Sequence, residues 1–189
     1  AYAAHALIQA GQVEKAKELL EKIETDFDAK SYLIPFAPLL PQTRAELALA
    51  TGALDEALAI VDDFLEGIRK TEVLRYRPEK LLLKGRILRE ADRPEEAYAV
   101  LREAHALAAE QNARPWVWRI SFHLVEMETE RGNVAQAQIL KEQARTVIDY
   151  IAANAGRDDL RASFLAIPMV QSLLLDKGEN HVNAIPTAA

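Results

Sequence analysis

The sequence has no cysteine among its 189 residues. This excludes a disulfide framework, a thiolate metal site and a cysteine nucleophile, and it makes a cytoplasmic location the expectation. Glycine and proline are also scarce, at 7 and 8 residues, whereas Ala and Leu together supply 58. Because Gly and Pro interrupt helices while Ala and Leu favour them, the composition predicts an all-α fold and argues against an all-β one.

A surplus of basic residues is also absent. Lys and Arg number 23 against 29 Asp and Glu, which gives a net charge of -6. This argues against direct nucleic-acid binding by the whole surface, which needs cations to displace counterions. The most apolar run, residues 32–40, contains Pro35 and Pro38 and is far shorter than a membrane span. We therefore expect no membrane partner. The first residues lack an initiator Met and a signal peptide, so we expect a fragment of a longer protein.

An internal repeat dominates the sequence. Four segments align without gaps, and each has a helix-stopping residue followed five positions later by an alanine. The spacing between successive stops is 41, 40 and 40 residues. The pairs are Gly11 and Ala16, Gly52 and Ala57, Asp92 and Ala97, and Gly132 and Ala137.

These two positions have a structural explanation. Gly, and less readily Asp, adopts the left-handed conformation that ends one helix and turns the chain into the next. The following Ala lets the second helix approach the first closely. Two helices per repeat predict a right-handed α-solenoid of about four hairpins, in which each hairpin stacks on its neighbours.

The turns place the helices. We predict helices over residues 2–10, 12–25, 41–51, 54–71, 78–91, 94–112, 115–131 and 134–155. Pro41, Pro78, Pro94 and Pro115 fit first-turn positions, where a missing amide hydrogen costs little. Residues 30–40 are predicted as a kinked extension of the third helix, since two prolines forbid a straight one.

The repeat resembles the tetratricopeptide repeat, whose 34-residue unit has a Gly at the hairpin turn and a small residue five positions later. Those repeats also prefer Gly seven residues before the turn, where this chain has Gly85 before Asp92. Ala4 and Ala45 are equivalent to Gly85, whereas Val125 departs from the pattern. The 40-residue period is longer than usual, and most units lack the aromatic and Leu signature of the first helix.

The end of the sequence predicts a cap. Residues 157–176 contain a short apolar set that would cover the last hairpin, and residues 177–189 read as a mobile tail. The domain prediction is therefore hairpins over 1–156, the first truncated, a cap over 157–176 and a tail. Within residues 112–170 the sequence contains NARPWVWRI, the turn ERGN, EQARTVIDYIA and DDLRASFLAIPMV. These segments resemble the C-terminal repeat regions of bacterial signalling ATPases of the maltose-regulator type and of cyclase or kinase fusions. That resemblance implies a sensor or scaffold region of a transcription-regulating or signalling protein.

Residues that carry chemistry are few. His5, His105, His123 and His181 have no second His at ligand spacing, although His123 and Glu126 are one helical turn apart. Ser163 lacks a nucleophile-elbow motif, and no phosphate-binding loop is present. The sequence therefore predicts no catalytic residue, no metal site, no cofactor and no enzyme activity.

The segment from 69 to 93, here called the basic segment, has nine Lys and Arg against four acids. This surplus could steer an acidic peptide, a nucleotide or a neighbouring domain to the third hairpin. The alternative is an ordinary solvated helix face with snorkelling side chains. We name Arg77, Lys80 and Lys84 as groove candidates.

Trp116 and Trp118 are two residues apart, so on a helix they point about 200° away from each other. One is expected in the core. The other is either a binding anchor in the groove or a cover for a neighbouring loop or domain. Trp116, Trp118 and Arg119 complete the predicted binding set.

The function expected is a non-catalytic interaction or scaffold module, binding a peptide, a partner protein or an upstream domain of its own chain on the concave face made by the first helices. Self-association through the truncated N-terminal end is left open. The alternative is a small-ligand sensor that controls an upstream nucleotide-binding module. A deep polar pocket enclosed by helices near Lys80, Lys84 and Trp118 would favour the sensor, and an open shallow groove would favour the interaction module.

Overall fold

A computed structural model describes residues 1–26, 39–71 and 74–175. The chain divides into two compact units, Ala1–Gln111 and Asn112–Ala189. The predicted kink over 30–40 falls almost entirely outside the described residues. His181 and the predicted tail over 177–189 also lie outside them.

The described residues form an all-α structure without strands. The predicted helices are confirmed, with most ends within two residues of the prediction, and a short 3₁₀ turn at Leu74–Tyr76 precedes the fifth. All four prolines lie in the first turn of their helices. The helices are α1 (Tyr2–Gln9), α2 (Val13–Asp26), α3 (Leu39–Ala50), α4 (Leu54–Thr71), α5 (Arg77–Glu90), α6 (Pro94–Glu110), α7 (Arg114–Glu130), α8 (Val134–Ala153), α9 (Asp158–Leu165) and α10 (Pro168–Leu174).

The four predicted turns have the same backbone geometry. Each turn residue is left-handed, with φ of 71° at Gly11, 77° at Gly52, 55° at Asp92 and 75° at Gly132. After each one, the next amide donates to the carbonyl five residues earlier, at 2.8–2.9 Å. This is the Schellman arrangement, which satisfies carbonyls that the end of a helix leaves without partners. The turns therefore join α1 to α2, α3 to α4, α5 to α6 and α7 to α8 as helical hairpins.

The alanine after each turn is buried. Ala16, Ala57 and Ala97 are 0% exposed and Ala137 is 8% exposed. In each hairpin its amide donates to the carbonyl of the residue that follows the turn. Burial of these alanines agrees with the steric role expected for them, because a larger side chain at a close helix contact would need space.

In the first unit, the core lies between successive hairpins as well as within them. Ala45 of α3, Val61 of α4 and Ile87 of α5 belong to one buried cluster. Helix α5 contacts both α3 and α4. The third hairpin therefore buries part of the apolar side of the second.

In the second unit, α9 and α10 lie against the α7–α8 hairpin. Val170 and Leu173 of α10 are buried with Trp118, Ala144 and Ile148. Helices therefore occur where the sequence predicts the cap. Within the described residues, no helix combines the length and the apolar character that a bilayer crossing requires.

Candidate binding surface

A chain of polar side chains links the first helices of three successive hairpins. His5 of α1 is bonded through Nδ1 to Glu46 Oε2 of α3 at 2.5 Å. Gln42, one turn before Glu46, donates to Glu46 Oε1 at 3.0 Å, and Lys80 Nζ of α5 donates to Gln42 Oε1. We call these four residues the polar ladder. It holds α1, α3 and α5 side by side.

The ladder is largely withdrawn from water. The side chains of Lys80 and Glu46 are 3% and 8% exposed, whereas that of His5 is 33% exposed. Burial lowers the pKa of the Lys80 ammonium, and the carboxylates of Glu79 and Glu46 offset part of that shift. The ammonium also lies 4.9 Å from the ring centre of Phe64. The four side chains of the ladder are hydrogen-bonded to one another. The ladder therefore fixes the spacing of the helices, and its polar groups are not available to a ligand.

The alignment of the repeats could have predicted the hydrogen bond between His5 and Glu46. His5 and Glu46 each lie six residues before their turn glycine, so they occupy equivalent positions on successive first helices. A histidine and a carboxylate at equivalent positions of adjacent helices are candidates for a hydrogen bond. Arg86 occupies that position on α5 and is half-buried.

Several cations of the basic segment form ion pairs with acidic side chains of α4 and α6. Lys84 pairs with Asp62 of α4 at 2.6 Å, and Arg77 pairs with Glu103 of α6 at 2.5 Å. Arg69 and Lys70 pair with Glu66, and Arg93 pairs with Glu96. The counter-charges come from helices on either side of the segment, so much of its surplus in sequence is neutralised locally in the structure.

The pair of tryptophans divides as predicted between core and surface. Trp118 is 1% exposed and makes an edge-to-face contact with Phe164 of α9, with 5.8 Å between ring centroids. Trp116 is half-buried. The guanidinium of Arg119 lies 5.2 Å from the Trp116 ring centroid and 4.8 Å from that of Trp118. Among the three, Trp116 and Arg119 retain surface that a partner can reach.

The three histidines that the structure describes, His5, His105 and His123, lie on different helices. His123 lies 3.6 Å from Glu126, one turn along the same helix. Burial, with a smaller effect from the charge of Arg102, lowers the pKa of His105. In the part of the chain that the structure describes, no three His, Asp or Glu side chains are placed to hold a metal ion. Ser163 is exposed on α9.

The volumes of two cavities limit the size of a ligand that could bind in them. One of about 10 Å³ lies beside Lys80, between Gln42 and Phe64, and has room for about one water molecule. The other is an open cleft of about 290 Å³ between α2, α3 and α4 that the sequence did not indicate. Its lining combines apolar Leu20 and Leu47 with charged Lys17, Glu21 and Arg44.

No protein-family model, curated protein or solved structure matches this chain.

Proposed function

We propose that the chain is a non-catalytic interaction module, an α-solenoid of tetratricopeptide type within a larger bacterial signalling or transcription-regulating protein. It binds an extended peptide, a partner protein or an upstream domain of its own chain along its first helices. The observation that carries the proposal is the polar ladder, because it links α1, α3 and α5 directly to one another. First helices in direct contact form a surface that continues from one hairpin to the next, which suits a ligand longer than one hairpin.

We define the first-helix face by the residues six and three positions before each turn. Positions three apart lie on the same side of a helix. In the first unit all of these side chains are half-buried except Glu46, which is buried. They are His5, Ile8, Glu46, Leu49, Arg86 and Arg89. Because Glu46 is buried and paired within the polar ladder, the face offers mainly apolar and basic groups, which favours a peptide with apolar and acidic side chains.

The small cavity beside Lys80 favours this function over the sensor form expected near Lys80 and Lys84, because no organic ligand fits in about 10 Å³. The sensor alternative has a different basis. The open cleft of about 290 Å³ is close to the lower limit for ligand sites, and it presents both charges to a zwitterionic molecule.

A peptide-display selection on the full chain tests the interaction module. Arg86→Glu reverses one charge on the first-helix face, and Arg102→Glu makes the same change on α6, the second helix of that hairpin. Selected peptides should bind Arg86→Glu roughly tenfold more weakly than the unchanged chain, whereas Arg102→Glu should retain binding. Selection of no peptide, or loss of binding in Arg102→Glu instead, would contradict the proposal.

A thermal-shift screen with small zwitterions tests the sensor alternative. Binding in the cleft should raise the melting temperature of the unchanged chain, because a ligand stabilises the folded state that binds it. Glu21→Lys should abolish that rise while leaving peptide binding intact. A rise that survives Glu21→Lys would exclude the cleft as the site.

A further inference from the structure

Helix α10 fills an apolar groove on the α7–α8 hairpin. Val170 and Leu173 are 0% and 1% exposed, and they pack against Trp118 of α7 and against Ala144 and Ile148 of α8. Leu174 packs against the same cluster and is half-buried. The occupant therefore presents apolar side chains at one helix position and at three and four positions later, which is one face of a helix.

Two cations close one end of this groove. Arg145 of α8 donates through Nε to the carbonyl of Leu173 at 3.1 Å and through Nη2 to that of Leu174 at 3.0 Å. Lys141 donates to the carbonyl of Leu175. The last carbonyls of a helix lack partners within the helix and form the negative end of its dipole. The groove is therefore complementary to the C-terminal end of a helix in both shape and charge.

The resident helix is a short occupant. Helix α5 contacts both helices of the hairpin before it, and α10 contacts both α7 and α8 in the corresponding way. However, α10 has 7 residues where α5 has 14. Helix α9, which connects α10 to the hairpin, contains no buried residue. The resident helix is held by its own short apolar face, by the hydrogen bonds of Lys141 and Arg145, and by Phe164 of α9 against Trp118, so a longer helix with the same face can compete for the groove.

We propose that α10 is an internal ligand that closes a docking groove for a helix of a partner protein. The partner helix carries apolar residues spaced as Val170, Leu173 and Leu174 are, and it ends at Lys141 and Arg145 with its C-terminal carbonyls or a free carboxylate. Binding exchanges one helix for the other, so occupancy of the groove by α10 holds the module inhibited. This groove lies in the second unit, and the proposal does not depend on the first-helix face.

The test measures binding of a fluorescent peptide, IPMVQSLLL, which has the sequence of residues 167–175 and a free carboxylate. Tethered α10 competes at an effective concentration on the order of millimolar, so the unchanged chain should bind weakly. In Val170→Asp/Leu173→Asp the charged side chains should drive α10 out of the groove. The affinity for the fluorescent peptide, measured by fluorescence anisotropy, should then rise roughly tenfold or more. Ser172→Asp changes an exposed residue of the same helix and should behave as the unchanged chain does.

Circular dichroism establishes that each variant retains its helices. If the double Asp variant loses its helices, Val170→Ala/Leu173→Ala replaces it, and the same rise in affinity for the peptide is expected. Stronger binding of the carboxylate peptide than of its amide, with the difference removed by Arg145→Gln, would support the placement of the helix end. Equal binding by the unchanged and opened chains, no binding by either opened chain, or equal binding of a peptide with Asp at the Val170 and Leu173 positions would overturn the proposal.

Discussion

A Cβ atom placed on Gly85 would lie 2.6 Å from Cγ of Leu101. Gly85 is on α5 and Leu101 is on α6, and Leu101 is 0% exposed, so it can give way only by repacking inside the core. The two helices of this hairpin are therefore in contact at a point where any side chain at position 85 requires Leu101 to shift. This gives a steric reason for a glycine in the middle of α5, where it costs helix stability.

Gly85→Ala should therefore destabilise the chain by about 1–3 kcal/mol through overpacking, despite a gain in helix propensity. Gly67→Ala is the matched control, because Gly67 lies on α4 with nothing within 4 Å of its added Cβ. That control should stabilise the chain by up to about 1 kcal/mol. Urea denaturation measures both, and equal stabilisation by the two substitutions would refute the steric argument.

The double substitution Gly85→Ala/Leu101→Val should recover part of the stability lost in Gly85→Ala. The preceding hairpin has Ala45 and Val61 at the equivalent positions, and both are buried in one cluster. The smaller valine makes room for the added methyl group. A double-mutant cycle measures the coupling, and simple additivity of the two changes would show that the residues do not compete for space.

Asp92→Gly should stabilise the chain by about 1 kcal/mol. Asp92 has φ of 55°, a left-handed conformation that costs a residue with a side chain more than it costs glycine. Ala99→Gly, at an exposed position inside α6, should have the opposite effect and destabilise by about 1 kcal/mol. Thermal unfolding distinguishes the two signs. A lower melting temperature for Asp92→Gly would mean that the aspartate side chain stabilises this turn.

Ala97→Leu should destabilise the chain by about 1–3 kcal/mol, because Ala97 is 0% exposed where α6 meets α5. Ala99→Leu adds the same side chain two residues later on the exposed side of α6 and should change stability by less than about 0.5 kcal/mol. Chemical denaturation of the two variants gives the comparison. Similar losses in both would indicate a propensity effect instead of a packing effect.

The stability of the chain should rise with pH in the range just below the ordinary lysine pKa of 10.5, because burial lowers the pKa of Lys80 in the folded state. In that range the unfolded state binds more protons than the folded state, so the free energy of unfolding increases with pH. Lys80→Met should reduce this slope. Lys84→Met also removes one ammonium from α5, so a difference in slope between the two variants, measured by urea denaturation from pH 7 to 10, isolates the effect of burial. Equal slopes would exclude Lys80 as the cause.

The hairpins were predictable from sequence because their signals are local. A left-handed residue and a small residue five positions later impose the same turn at Gly11 and at Asp92, whatever surrounds them. The prolines act in the same way, since each affects only its own helix turn. The division between Trp118 and Trp116 also follows from spacing within one helix.

The contacts between helices were not predictable in the same way. The basic segment has an excess of cations along the sequence, but Asp62 and Glu103 reach it from α4 and α6. Similarly, Lys80 was expected in an open groove and is instead buried against Gln42 and Phe64. Both outcomes depend on how one helix is rotated toward the next, and the composition of a single segment does not contain that information.

Each helix of the four hairpins packs on the helix next to it in the chain, and the turn between them is only a few residues long. Closing such a short loop costs little entropy, and contacts between sequence neighbours are associated with folding in microseconds to milliseconds. A pair such as α5 and α6 has all the partners of its turn within about 35 residues, so it can form as soon as that length has emerged from the ribosome. Within the first unit, the order of synthesis thereby becomes an order of assembly, in which the α3–α4 hairpin is complete before α5 packs on it.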